Sequence, residues 1–416
     1  MRLLFYGINY APEPTGTGPY TTDMARWLAD RGHQVDVITG LPHYPAWKVD
    51  EAYAGLCFLR EEIDGVRVLR VPLRTPKGSV PSSRDRIVLE SSFALAAGRY
   101  WLPCMLVRQR YDAVIAICPP LQMGVYPQLY HGLRGVPWIF HIQDLQVDAA
   151  FRLGMLQPSS ASRLLYRVEN GLLRQASLVS TNTDAMRRRI IEKGTPPERT
   201  FLLPNWADLQ AITPLPKQNA FREQLGIPED HVLCIYAGSM GAKQGLETAI
   251  DAARQLQDET HIHFAFVGDG ARRKVLEEQA RGIPNITLLP VQPKERLAEM
   301  LAAADVHLVV QRRDAADLVM PSKLGNILAA GRPVVATAEP GTALYETVTQ
   351  AGAGLLVPPE QPELLAAAIR RLAKEETFRT TCGRNGRQWA ETHLSIDVLM
   401  PPFEQRLKAL VQSSLR

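Results

Sequence analysis

The sequence predicts an α/β protein made of two Rossmann-like domains that face each other across a cleft. Strand-like apolar runs alternate with helical patterns along both halves of the chain. Such alternation is typical of βαβ units with a parallel sheet. A stretch rich in proline and polar residues separates the two halves. The length of 416 residues allows each half its own core.

The elements follow in chain order. A buried strand at 3–7 precedes an amphipathic helix at 21–31, which Gly32 ends. The first half continues with predicted strands at 35–39, 66–71, 113–117, 138–141 and 178–181. The second half has predicted helices at 245–256 and 271–281, and strands at 232–237, 262–267, 286–289, 306–310, 333–337 and 354–357.

The break between the halves runs from Phe201 to Asn219, and we interpret it as an interdomain linker. We therefore predict a first domain at 1–206 and a second at 207–395. A C-terminal helix at about 396–416 is expected to pack back on the first domain.

Composition narrows the class of function. A net charge of +4 is compatible with small anionic substrates or an acidic membrane surface, but it is too weak to indicate a nucleic-acid partner. The five cysteines are scattered and form no metal-binding pattern, which favours a reducing cytoplasm. Residues 1–8 are too short for a signal peptide, and no apolar run has the length of a transmembrane helix.

Two glycine-rich loops follow strands. Gly16 and Gly18 lie after the first strand, where glycines let backbone N–H groups approach a phosphate, although a plain turn explains a single GxG as well. After the strand at 232–237, Gly238 and Gly241 suggest an anion-cradling backbone, and Lys243 adds a charge near the next helix. The glycines at 268–270 fit a plain turn.

A third candidate loop runs into the helix near residue 323. Arg312 and Arg313 follow a strand, and either is placed to reach a phosphate, although a solvated surface arginine explains each of them as well. Ser322 and Lys323 at the helix start suit a diphosphate, because helix N–H groups and a lysine both attract anions. Asn326, one turn further, has the groups to bind a ribose hydroxyl.

His141 stands at the carboxyl end of a predicted strand, the edge where ligands bind in such sheets. Asp144 is spaced to orient its imidazole. No Asp-x-Asp occurs in the chain, so we expect no metal–diphosphate site and no cofactor. Lysine, arginine and backbone N–H groups would then stabilise the leaving group.

Together these segments resemble the GT-B glycosyltransferases of family 4, and more narrowly the colanic-acid-type fucosyltransferases of bacterial exopolysaccharide synthesis. The matching stretches run from the amino terminus to about residue 335: 6–13, 141–149, 204–206, 243–247, 309–313 and 321–328. Any one of these stretches alone would not be specific for the subfamily.

The resemblance implies a retaining, metal-independent transfer from a nucleotide sugar, with GDP-fucose favoured. Lys243 would hold the donor diphosphate, and His141 would face the donor sugar. Asn326 occupies the place of the second Glu of the family's E-x7-E motif, while Leu318, with Asp317 beside it, occupies the place of the first. Ser239 stands near the usual arginine, so Arg313 would substitute for it.

The expected acceptor is a lipid-linked saccharide at the inner face of the cell membrane. The segment from Arg84 to Arg110 mixes apolar and basic residues, which suits peripheral contact with a membrane surface. An ordinary amphipathic helix packed on the sheet explains the same pattern.

Two alternatives remain open at this level. A GT-B-fold sugar-nucleotide epimerase would need acid and base groups at the sugar carbon, for which His141 and Asp144 supply one pair. A non-catalytic nucleotide-sugar-binding subunit of a polysaccharide assembly would explain the altered E-x7-E region. A dinucleotide oxidoreductase is disfavoured, because neither half carries the full glycine fingerprint.

Overall fold

A computed structural model describes residues 1–76, 78, 82–106, 111–152, 159–313 and 321–414. The chain divides into two compact units. Unit 1 consists of Met1–Pro204 and Met400–Arg416, and unit 2 consists of Asn205–Leu399.

The sheet of unit 1 contains eight strands in the order β3-β4-β2-β1-β5-β6-β7-β8. All neighbours are parallel except β3, which pairs antiparallel with β4. The strands are β1 Arg2–Tyr6, β2 Gln34–Gly40, β3 Leu59–Ile63, β4 Val66–Val71, β5 Ala113–Cys118, β6 Trp138–Ile142, β7 Leu178–Thr181 and β8 Thr200–Leu202. The helices are α1 Gly18–Asp30, α2 Ser83–Leu106, α3 Val125–Arg134, α4 Gln146–Arg152, α5 Ser160–Gln175 and α6 Asp184–Glu192.

The sheet of unit 2 contains six parallel strands in the order β11-β10-β9-β12-β13-β14. These are β9 Val232–Ala237, β10 Ile262–Val267, β11 Ile286–Leu289, β12 Val306–Val309, β13 Val334–Thr337 and β14 Gly354–Val357. The helices are α7 Ala220–Gln224, α8 Glu247–Gln255, α9 Arg273–Ala280, α10 Leu297–Ala303, α11 Lys323–Ala329, α12 Ala343–Ala351, α13 Pro362–Lys374 and α14 Glu376–His393. The last helix, α15 Ile396–Ser414, begins in unit 2 and continues into unit 1.

The central strands of unit 2 are buried on both faces. Leu233 and Ile235 of β9 belong to one hydrophobic cluster, while Val232, Cys234 and Tyr236 belong to another. Successive side chains of a strand point to opposite faces, so the two clusters cover the two faces of the sheet. This explains why the strands read as continuous apolar runs.

The last helix is tied to unit 1 by a charged group. Glu404 of α15 accepts from Arg31 Nε and meets His33 Nε2, each at 2.9 Å. These contacts place the C-terminal segment beside the end of α1.

The strands predicted from the sequence are all present, with ends that differ by at most one residue. Two strands were not predicted, β3 and β8. Phe201, where we placed the start of a linker, lies in β8 of the unit 1 sheet, so that part of the linker interpretation is wrong.

The amphipathic segment at 84–110 forms α2, and much of its apolar content belongs to the core. Phe93 and Trp101 are fully buried against the sheet. Arg108 and Arg110 lie outside the described residues. None of the helices within the described part of the chain is long and apolar enough to cross a membrane.

Candidate functional site

The glycine turn after β9 packs directly on the turn after β10. Gly238 N donates to Val267 O at 2.9 Å, and Met240 N donates to Asp269 O at 2.8 Å. A Cβ on Gly268, whose φ is +155°, would lie 1.9 Å from Gly238 O. Only glycine permits that approach, so the turn at 268–270, which we had interpreted as plain, supports the turn at 238–241.

The predicted backbone cradle for an anion is largely occupied. Besides the N–H groups of Gly238 and Met240, that of Gly241 donates to Gln244 Oε1 at 3.1 Å. Three N–H groups of this turn are therefore already hydrogen-bonded to acceptors within the protein. The expectation that Gly238 and Gly241 present their N–H groups to a phosphate is wrong for this conformation, and positive charge must come from side chains.

Lys323 supplies one such charge at the same turn. Its Nζ lies 3.7 Å from the centroid of the Tyr236 ring, and a Cβ on Gly238 would be 3.0 Å from that Nζ. Burial lowers the pKa of Lys323 to about 7. Because Gly238 has no side chain, the Lys323 ammonium has room beside this turn. The structure thus brings together Lys323 and Gly238, which the sequence had named separately.

Lys243 lies on a short 3-10 turn, Ala242–Gln244, and not on a helix. Its side chain is exposed. Its carbonyl accepts from Arg312 N at 3.0 Å, which ties the turn to the segment after β12. Lys243 therefore stands at the carboxyl ends of the central strands β9 and β12, with a side chain free of packing against the core.

The remaining unit 2 candidates are spread along this edge. Arg313 pairs with Glu339 (Nη2 to Oε1, 3.4 Å), which joins the segments after β12 and β13. Ser239 is exposed, and its carbonyl accepts from the Tyr236 hydroxyl. Ser322 is exposed immediately before α11, which has only seven residues.

Asn326 is half-buried in the first turn of α11. Asp317, like its neighbour Leu318, lies outside the described residues.

In unit 1, the loop after β1 is organised by a buried carboxylate that our sequence analysis did not single out. Glu13 Oε1 accepts from His43 N at 2.8 Å and from Tyr44 N at 2.9 Å. Gly16 has a φ of +73°, and a Cβ there would be 3.2 Å from the Tyr44 ring. A cavity of about 400 Å³ lies beside these groups. The prolines on both segments were a signal that two rigid loops meet.

Gly18 is the first residue of α1, and a Cβ on it would lie 3.4 Å from Glu13 Cβ. Gly18 therefore borders the buried carboxylate of Glu13, and Gly16 borders Tyr44, whose N–H group donates to that carboxylate. Neither has a contact that assigns it to a phosphate.

His141 lies at the carboxyl end of β6, where it was predicted, but its partners differ from those predicted. Nδ1 meets Ser180 Oγ at 2.9 Å, and Nε2 meets Gln143 Nε2 at 2.8 Å. Both ring nitrogens are thus engaged by residues other than Asp144. The orienting role that we assigned to Asp144 belongs to Ser180 and Gln143, and the same contacts leave no ring nitrogen for the acid–base pair of an epimerase.

The described part of the chain contains no group of three or more His, Cys, Asp or Glu side chains placed to hold a metal ion.

Comparison with known proteins adds the family. Residues 15–206 match the model of a glycosyl transferase 4-like domain, and residues 217–389 match that of glycosyl transferases group 1. The chain is 38% identical over 412 residues to the colanic acid biosynthesis glycosyl transferase WcaI of Escherichia coli K12, covering 97% of this chain and 98% of WcaI.

Two solved structures share the fold along nearly the whole chain. Sucrose-phosphate synthase from Thermosynechococcus elongatus has a TM-score of 0.76 at 19% identity and covers 99% of both chains. Anabaena HepE in complex with UDP has a TM-score of 0.73 at 19% identity, covering 98% of this chain and 100% of HepE. With its two Rossmann-like units and both domain matches, the chain belongs to the GT-B glycosyltransferases and is a transferase enzyme.

Proposed function

We propose that this enzyme transfers a sugar, with GDP-fucose as the favoured donor, to a lipid-linked saccharide during bacterial exopolysaccharide synthesis. The observation that carries the proposal is the pair of lysines at one turn of unit 2, with Lys323 against Gly238 and Lys243 on the adjoining 3-10 turn. The relation to WcaI supports the pathway and the resemblance supports the sugar. The reaction would occur on the cytoplasmic side of the membrane.

The proposed mechanism is front-face retention without a metal. The acceptor hydroxyl attacks the anomeric carbon from the side that the nucleotide leaves. The new C–O bond forms as the bond to the β-phosphate oxygen breaks, and the hydroxyl proton passes to that departing oxygen. Negative charge grows on the leaving diphosphate, so fixed positive charges lower the barrier. Lys243 and Lys323 would supply them.

Further residues of unit 2 would contact the phosphates and the ribose of the donor. Arg313 would add charge beside the phosphates once it leaves or shares Glu339. Asn326 would bind a ribose hydroxyl through its amide. Ser322, Ser239 and Asp317 complete the proposed donor side.

Thermal stability with nucleoside diphosphates tests the donor. We expect GDP, and not UDP, ADP or dTDP, to raise the melting temperature in the presence of EDTA. A ligand at a hundredfold excess over its Kd stabilises by about 2.7 kcal/mol, which is about 5–10 °C for a domain of this size.

The other outcomes of this screen are informative. A shift with UDP alone would keep the transferase but exclude GDP-fucose. HepE is a GT-B-fold protein whose complex holds UDP, which makes this the sharpest rival. A shift that requires a divalent metal would contradict the metal-independent mechanism.

The membrane proposal rests on the solvent face of α2. Leu95 is 78% exposed and Leu102 is 57% exposed, and they share a helix face with the exposed Arg99. The neighbouring helix α3 packs on α2 and exposes Leu129 and Leu133. Exposed leucines interleaved with arginines suit the interface of an anionic bilayer.

We expect the protein to float with vesicles that contain anionic lipid and to be released by replacing Leu95 and Leu102 with glutamate. Each change removes apolar insertion and adds charge repulsion. Leu364→Glu, at a leucine that is 47% exposed on α13 of unit 2, is the matched control and should float like the wild type. Equal flotation of the α2 variant and the wild type would remove this helix from the membrane contact.

A further inference from the structure

Four side chains form a continuous hydrogen-bonded chain at the carboxyl ends of β6 and β7. Ser180, His141, Gln143 and Asn182 follow one another with contacts of 2.9, 2.8 and 3.1 Å. Ser180 stands opposite His141 in the register of the two strands. The imidazole is 2% exposed, so water cannot replace these partners.

The backbone carbonyl of Gln143 determines which groups donate and which accept along these hydrogen-bonded side chains. Asn182 Nδ2 lies 3.2 Å from the carbonyl of Gln143 and 3.1 Å from Gln143 Oε1. A carbonyl only accepts, so the atom facing it must be the amide nitrogen of Asn182. That nitrogen also donates to Gln143 Oε1. The other end of the Gln143 amide, its NH₂ group, must then face His141.

The tautomer of His141 follows from this direction. Because Gln143 Nε2 donates, His141 Nε2 accepts and carries no proton. The proton of the neutral ring is therefore on Nδ1, which donates to Ser180 Oγ. Burial lowers the pKa of His141 to about 4. Protonation of His141 at Nε2 would also place its N–H group opposite the NH₂ group of Gln143, so that two donors would face each other.

The titratable groups around this end of β6 do not oppose that assignment. Cys118 is on the neighbouring strand β5, and burial together with the carboxylates of Glu169 and Asp144 raises the pKa of its thiol. The thiol therefore stays neutral. Burial is the cause that lowers the pKa of His141 itself.

We propose that Gln143 and Asn182 are positioning residues that hold His141 as a neutral imidazole with its proton on Nδ1. In this assignment the His141 ring is held in one orientation at the site. It transfers no proton to the substrate and donates no hydrogen bond to it. The assignment of this ring to the donor side rests on the proposed function, whereas the tautomer does not. Gln143 thereby becomes the residue that determines the protonation state at this strand end.

Nitrogen NMR of protein with ¹⁵N-labelled histidine tests this directly. In the wild type we expect His141 to show the Nδ1–H neutral pattern, unchanged between about pH 5.5 and 8. In Gln143→Glu one carboxylate oxygen still accepts from Asn182, and the other replaces the amide nitrogen that faces His141 Nε2. That carboxylate accepts where the amide donated, so the ring should gain an Nε2 proton and titrate at a higher pKa.

Activity should change with the tautomer. With the donor identified by thermal stability, we expect kcat of Gln143→Glu to fall about 10- to 100-fold through misplacement, with a new pH dependence that the wild type lacks. A merely structural role would lower stability without creating that pH dependence. Gln388→Glu, the same change at an exposed site of α14, should leave the His141 signals unaltered.

Asn182→Ala provides a second variant if the first does not fold. It frees the Gln143 amide to rotate, so His141 should populate both neutral tautomers. A wild-type His141 that carries its proton on Nε2, or that titrates near pH 6.5, would overturn the proposal. Because this spectrum needs no donor, failure of the transferase proposal would leave it intact.

Discussion

Replacing Lys243 with alanine is expected to lower kcat by about 10²–10³-fold, the usual loss when one donor to a developing charge is removed. Lys243 is exposed on its 3-10 turn, where its carbonyl, and not its side chain, holds Arg312. The fold should therefore tolerate the change, with stability altered by less than about 0.5 kcal/mol. The loss should appear in kcat more than in KM, because the charge develops in the transition state.

The control for this experiment is Lys374→Ala. Lys374 is the exposed last residue of α13 in the same unit, so the substitution removes an identical charge away from the glycine turns. Its turnover should match the wild type, which separates a local effect from the change in net charge. Turnover of Lys243→Ala within a factor of about three of the wild type would show that the leaving group is stabilised elsewhere.

The fold was largely predictable because most of its strands are predominantly apolar. All six residues of β5 are buried, and a run of that kind is visible in the sequence. The strand β3 was missed because its sequence, LREEI, is charged at three of five positions. It is an edge strand that pairs only with β4, so one side of it needs no apolar partner.

The helix α2 shows the limit of helical periodicity. The sequence indicated an amphipathic stretch, but it did not tell which apolar residues face the sheet. Phe93 and Trp101 turned out to be core, and Leu95 and Leu102 remained outside. Only the packing of the helix on the sheet separates these two faces.

The contacts of the site residues depend on strand register and on which distant segments the fold brings together. Asp144 was chosen as the partner of His141 because it is close in sequence, whereas Ser180 becomes a neighbour only through the pairing of β6 with β7. The approach of Lys323 to Gly238 likewise joins segments that follow different strands. Residue types at strand ends were thus predictable from the sequence, and their partners were not.

Nucleotide affinity is expected to fall as the pH rises above 7, because Lys323 must be protonated to hold a diphosphate. Burial lowers the pKa of Lys323 to about 7. An anion beside Nζ stabilises the charged form and raises that pKa. Between the free and the bound pKa, binding takes up one proton, so Kd should rise up to about tenfold per pH unit.

Between pH 7 and 9, the effect of Lys323 ionisation on Kd is separated from the ionisation of the nucleotide phosphate. The terminal phosphate of a nucleotide loses its last proton near pH 6, so it is already ionised there. We expect Kd to increase about 25-fold across the window if the bound pKa reaches 9. Calorimetry in buffers of different ionisation enthalpy should show proton uptake at pH 8.

Lys323→Met is the decisive variant, since methionine has a long unbranched side chain that can lie on the Tyr236 ring without a charge. It should bind nucleotide more weakly at pH 7 than the wild type and with a flat pH profile. A wild-type profile that is already flat would place the diphosphate away from Lys323, and Lys243 would then be the only lysine of this pair acting on the leaving group. The same titration therefore decides whether the close approach at Gly238 serves binding or only packing.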